Sequence, residues 1–166
     1  HGTVKKQSKQ KPAPTPEQRH AADPGHSAWV AASAGSGKTQ VLVDRVIRLL
    51  LEGAAPDAIL CLTFTKAAAA EMSNRLFERL SGWIALSDED LTEELTRLGV
   101  ARVDIKTRHA ARRLFARALE TPGGLNGQPI HAFCESVLHQ FPLEANIAAH
   151  FQWRDARMEA ALVAEA

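Results

Sequence analysis

An α/β fold, a parallel sheet with helices on both faces, is what this sequence predicts, and three observations predict it. A short apolar run, SAWVAAS (27–33), leads into a glycine-rich stretch, AGSGKT (34–39), and from there into an amphipathic segment. A second run, AILCLTFT (58–65), is apolar almost throughout, the mark of a parallel strand covered on both sides. A second helical segment, KAAAAEMSNRLFERL (66–80), follows at once. Strand, loop, helix, strand, helix is the opening of a doubly wound sheet.

Each element has its own signal. Residues 1–14 are rich in Lys, Gln and Pro without apolar periodicity, and predict a disordered basic leader. Structure is expected from residue 15 onward as one domain. In TPEQRHAA, Thr15 suits an N-cap, Pro16 the first helical position and Gln18 the reciprocal place of a capping box. From about Lys38 to Glu52, Leu42, Val46 and Leu49 share one helical face with Val43, Ile47 and Leu50 beside them, and Gly53 follows as a C-terminal stop. Between about 82 and 126 the pattern turns mostly helical, as an insertion would: DEDLTEELTRLG (88–99), then RHAARRLFARALE (108–120) up to the turn TPGG (121–124). PIHAFCESVLHQF (129–141) starts a new apolar periodicity, and RDARMEAALVAEA (154–166) reads as a final helix.

Charge says little in total and more in its distribution. The 20 basic and 19 acidic residues leave +1. Lys5, Lys6, Lys9, Lys11 and Arg19 oppose only Glu17 near the start, and from Arg97 to Arg117 seven Lys or Arg oppose only Asp104. Both blocks suit nucleic-acid phosphates, but a solvated tail and a solvated helix face are the favoured readings. Cys61 and Cys134 lack CxxC spacing, no apolar run reaches membrane length, and no signal-peptide pattern opens the chain. These features lead us to expect a reducing, cytoplasmic setting.

The chemistry concentrates at residues 32–40. The phosphate-loop pattern GxxxxGK[ST] is met except at its first position, where Ala32 stands. A strand turned into a helix through Ser33, Ala34, Gly35, Ser36 and Gly37 would leave backbone N–H groups facing one hollow, with the helix N-terminus behind them. Lys38 would reach the β- and γ-phosphates, and the Thr39 hydroxyl would ligate Mg²⁺. ATP with Mg²⁺ is the expected cofactor, and Lys38 and Thr39 are the expected catalytic pair.

Three segments beyond the loop narrow the class. PEQRHAA precedes it, TFTKAAAAEM (63–72) follows by one helix, and IHAFC (130–134) comes later. In this order they resemble the UvrD-like helicases of superfamily 1, and among them the AddA-type helicase–nuclease subunits. The resemblance runs from about Thr15 to the end. It implies a RecA-like motor domain in which Gln18 reads the adenine edge and Ser33 to Gln40 hold the nucleotide. It also implies that Thr63, Phe64, Thr65 and His131 contact single-stranded DNA, with an exposed aromatic stacking on any base. The residues alone also allow core packing for Phe64, a capping or surface role for His131 and a capping box for Gln18. The implied activity is ATP-dependent unwinding of DNA ends in double-strand break repair by recombination, beside an AddB-like second subunit. The family's acidic motif, second motor domain and nuclease domain would lie beyond residue 166, so these residues alone are not expected to turn over ATP. Gln40 stands where relatives carry an adenine-stacking Arg, and Pro129 where they carry Thr.

Competing motifs are weaker. WIALSDED (83–90) has the outline of a strand ending in an acidic Mg²⁺ pair, but Ser87 and Asp90 have capping-box spacing. His131 and Cys134 share a helix face, yet no second ligand pair is spaced for zinc. A small phosphotransferase and a non-catalytic nucleotide- or DNA-binding module stay open as alternatives.

Overall fold

The computed structural model describes residues 13–33, 35–121 and 125–147. The expected leader (1–12), Ala34, most of the TPGG turn and the expected helix at 154–166 lie outside the described residues. The chain divides into two compact units, His1–Leu60 with Glu71–Asn126, and Cys61–Ala70 with Gly127–Ala166.

The first unit is helical. Helix α1 (Pro16–Ala21) opens with the complete capping box that the sequence predicts: the Gln18 N–H donates to Thr15 Oγ1 at 3.3 Å and the Thr15 N–H to Gln18 Oε1 at 3.0 Å. Helix α2 (Lys38–Leu51) buries Val43, Val46, Ile47 and Leu50, whereas Leu42, expected on the packed face, is 53% exposed. At its end the Gly53 and Ala54 N–H groups donate to the Leu50 and Leu49 carbonyls, with Gly53 at φ 101°. That two-bond closure needs a left-handed residue, so glycine stops the helix.

Helix α3 (Lys66–Ala85) runs five residues further than the sequence pattern marks. Leu76, Leu80 and Trp83 form a buried i, i+4, i+7 stripe that carries the helix through Gly82. Helix α4 (Asp88–Arg97) is capped by Ser87, whose hydroxyl accepts from the Asp90 N–H at 3.0 Å, and buries Leu91 and Leu95. Helix α5 (Ile105–Glu120) begins at Asp104 and buries Ala111, Leu114 and Ala118. It packs on both α2 and α4. Each leucine removed from water in this core contributes about 1.5–3 kcal/mol.

A two-stranded parallel sheet pairs β1 (Leu60–Thr63) with β2 (Asn126–Pro129); all but the first residue of each strand belongs to the second unit, as does helix α6 (Ile130–Gln140). Two sequence expectations are corrected here. Residues 27–33 form no strand: they carry no regular secondary structure, and Trp29 is 95% exposed. A strand needs a ladder partner for its N–H and C=O groups, and none pairs with this run among the described residues. Strand β1 is also shorter than 58–65, and Leu60 and Leu62 are each 43% exposed; among the described residues it pairs with one strand, β2. Strand β2 is not legible in advance. Its sequence, NGQP, carries no strand propensity and pairs by position alone.

Candidate functional site

The glycine loop of the first unit turns directly into α2. Gly35 and Gly37 sit at φ 78° and 84°, and Gly37 is the N-cap of the helix. The positive φ disfavours any side chain at Gly37, and a Cβ there would press on Gln18 Nε2 at 3.3 Å. The first intrahelical bond runs from the Val41 N–H to the Gly37 carbonyl. The N–H groups of Lys38, Thr39 and Gln40 therefore have no partner within the helix and point out of its positive end.

The loop is braced from inside. Ser36 Oγ donates to the Ser33 carbonyl at 2.7 Å, and the Ser36 N–H reaches the same oxygen at 3.3 Å. The Lys38 ammonium donates to the Ser33 carbonyl at 2.8 Å and also to that of Ala32. Ala32, standing in place of the pattern's first glycine, thus offers its backbone oxygen and needs no special dihedral. Thr39 occupies the second position of α2, beside Lys38.

Gln18 joins this group. Its Nε2 donates to the Ser36 carbonyl at 3.4 Å, while Oε1 serves the capping box, so one amide ties α1 to the loop. A cleft of about 820 Å³ opens here, lined among others by Thr15, Gln18, Gly35, Ser36, Gly37 and Gln40. Gln40 behaves differently from a base-stacking residue: its Nε2 donates to Asp44 Oδ1 at 2.8 Å. Asp44, the buried acid of α2, is in turn paired with Arg79 of α3, and Arg79 Nη2 lies 2.8 Å from Glu94 of α4. Sequence reasoning misses this chain of side chains. The one available signal is an Asp on the packed side of an otherwise apolar helix.

The acidic stretch SDED is not at a strand end. Asp88 lies in the first turn of α4, where Arg112 Nη1 sits 2.7 Å from its carboxylate. The Arg112 hydrogen bond holds its carboxyl below the ordinary value of 3.8. Three of the seven basic residues of the 97–117 block pair with acids: Arg97 with Glu93, and Arg108 and Arg112 with Asp88, while Arg112 also donates to the Leu86 carbonyl at 2.9 Å. This favours the solvated-face reading of that block.

The second unit brings together the other expected residues. Thr63 ends β1, and its hydroxyl donates to the Thr65 carbonyl at 2.8 Å. The Thr65 hydroxyl accepts from the Ala68 N–H at 3.1 Å and so starts α3. This turn presents Phe64 at 90% exposure, so it packs into no core among the described residues. His131 is exposed in the first turn of α6. Pro129 precedes that helix without a side-chain cap. Burial pushes the Cys61 thiol up, while Cys134 is exposed. No group of three potential metal-ligating His, Cys, Asp or Glu side chains occurs among the described residues, and no described helix is long and apolar enough to cross a membrane.

Comparison with known proteins identifies the family. Residues 14–166 match the UvrD/REP helicase N-terminal domain. The AddA subunit of the ATP-dependent helicase/nuclease of Lactobacillus acidophilus is 36% identical over 152 residues, covering 91% of this chain and 11% of that protein. The protein of the same name from Ligilactobacillus salivarius is 34% identical over 152 residues, again 91% of this chain and 11% of the relative. That from Levilactobacillus brevis reaches 51% over 70 residues, 42% of this chain and 6% of the relative. The chain thus spans about a tenth of the length of the first two of these relatives. With the glycine loop, Gln18 and the exposed Phe64 turn all inside the matched region, the chain belongs to the UvrD/REP helicase N-terminal domain family.

Proposed function

We propose that this chain is the ATP-binding, single-stranded-DNA-contacting N-terminal part of an ATP-dependent DNA helicase. The enzyme would be a helicase–nuclease subunit of the AddA type, acting in the bacterial cytoplasm on broken DNA ends beside an AddB-like partner. The observation that carries the reading is the loop at the head of α2, where the left-handed Gly37 opens the helix whose first two residues are Lys38 and Thr39, and where Gly37 and the Gln18 amide line one cleft.

The residues fit a Mg²⁺-nucleotide. Free N–H groups at the helix start would donate to phosphate oxygens, Lys38 would leave the Ala32 and Ser33 carbonyls for them, and Thr39 would hold the metal. Gln18, with both a donor and an acceptor, would read adenine. ATP supplies the free energy for movement along the strand. Ser33, Ala34, Gly35, Ser36 and Gln40 complete the nucleotide contacts, and Thr63, Phe64, Thr65 and His131 would hold the strand. The fold proposed for residues 15–166 is the first part of a RecA-like motor domain, with residues 1–14 a basic leader and about 82–126 a helical elaboration.

A fluorescent ATP analogue titrated with Mg²⁺, followed by phosphate-release assays with and without single-stranded DNA, tests this. Binding that Lys38→Ala abolishes, without turnover by these 166 residues alone, is the expected result. Lys38-dependent hydrolysis by these residues alone would overturn it in favour of a self-sufficient small NTPase.

A further inference from the structure

The adenine-reading segment has almost nothing apolar to hold it. Helix α1 is six residues long and buries no side chain; in residues 13–33 only Ala22 is buried. What grips the segment is two arginines of α2. Arg45 Nη1 donates to the Ala21 carbonyl at 3.2 Å and to that of Asp23 at 2.6 Å, and its Nη2 donates to that of His26 at 2.7 Å. One turn on, Arg48 Nη1 donates to the Arg19 carbonyl at 3.1 Å, and Nη2 lies 3.2 Å from the Asp23 carboxylate. Four backbone carbonyls between residues 19 and 26 thus hang on the helix whose first turn carries Lys38 and Thr39. An arginine's planar fork suits this task; a lysine, a single point of charge on a flexible stem, does not.

We propose that Arg45, seconded by Arg48, is a positioning residue for nucleotide selectivity. It fixes the chain around Gln18 at a set height above the phosphate loop, so that base recognition and phosphate binding share one rigid helix. This rests on the reading of Gln18 as the adenine-recognising side chain. A merely structural latch would affect all ligands alike; a positioning latch affects only those with a base.

The test uses the full-length protein and three probes: Mg²⁺-ATP, Mg²⁺-GTP and Mg²⁺-tripolyphosphate, which carries no base. Arg45→Ala is expected to weaken ATP binding about tenfold, the effect of losing charge-assisted hydrogen bonds. It should draw the ATP-to-GTP ratio toward one and leave tripolyphosphate within about twofold of the parent. Gln18→Ala should lower the same ratio, and Arg45→Ala should add nothing in the Gln18→Ala background. If Arg45→Ala weakens tripolyphosphate as much as ATP, the positioning role is overturned. If Gln18→Ala lowers the ratio and Arg45→Ala does not, the latch falls while the adenine reading stands. If Gln18→Ala leaves the ratio unchanged, the adenine reading falls and takes the latch's role with it. Should Arg45→Ala fail to fold, Arg45→Lys keeps the cation but not the fork; parental selectivity in that variant overturns the proposal, and an intermediate ratio supports it.

Discussion

Removing the Asp44 carboxylate, as in Asp44→Ala, leaves Arg79 with half of its partners. Asp44 is 6% exposed and takes both the Gln40 amide at 2.8 Å and the Arg79 guanidinium. Breaking a buried pair from one side costs about 3–5 kcal/mol. Two features reduce that here: Arg79 keeps Glu94, at 3.0 Å from Nε and 2.8 Å from Nη2, and its side chain is 20% exposed. The expected loss is therefore about 2–3 kcal/mol, including the orphaned Gln40 amide. With a urea slope of about 2 kcal/mol/M for a domain of this size, the unfolding midpoint should fall by roughly 1–1.5 M. Urea titrations followed by circular dichroism read this directly. Replacing Asp44, Arg79 and Glu94 together by apolar residues of similar size should recover most of the loss, since no charge is then left alone. A midpoint shift under about 0.3 M for Asp44→Ala would refute the reasoning, because the network would then be only a surface ornament.

Other perturbations separate the two units. Gly37→Ala should cost about 1–2 kcal/mol, since alanine resists the left-handed region and its methyl meets Gln18, and should weaken ATP-analogue binding in the same titration. Phe64→Ala should weaken single-stranded DNA binding about tenfold or more, as loss of one base stack does, while leaving the melting temperature unchanged because the ring is 90% exposed. The Asp88 carboxyl titrates below its ordinary 3.8 chiefly through the Arg112 hydrogen bond, so its contribution is present above 3.8 and is lost as pH falls through the lower folded value. Arg112→Gln should move that titration upward in a carbon-detected NMR series; an unmoved curve would mean the bond is not formed in solution.

How much can be read in advance divides along physical lines. The capping box at Thr15 and Gln18, the Val43, Val46, Ile47 and Leu50 part of the α2 stripe, the Gly53 stop and the Ser87 cap lie where local chemistry puts them, while Leu42 faces solvent. These signals act within one or two helical turns and need no partner. The strand expected at 27–33 does not form, and NGQP pairs without any propensity for it, because a strand is defined by its neighbour. The loop itself is legible residue by residue. Its wiring is not: that Arg45 serves three carbonyls, or that Gln40 turns to Asp44, depends on which segment lies alongside. Phe64 is open between core and surface in the sequence, and the Thr63–Thr65 turn decides it by directing the ring outward.

The Lys38 ammonium lies on the carbonyls of Ala32 and Ser33, which makes the loop its own counter-ligand. A phosphate arriving here must displace two oxygens already in place, so the net gain is a difference between two charge-assisted sets. A lone inorganic phosphate, with few contacts to offer, competes poorly. A triphosphate that also engages the helix start and a metal can win. On departure the same two oxygens take the lysine back, so no bare cation is left behind and the resting state re-forms without help. If the chain serves the proposed motor, a site emptied once per cycle would be served by a loop that resets itself.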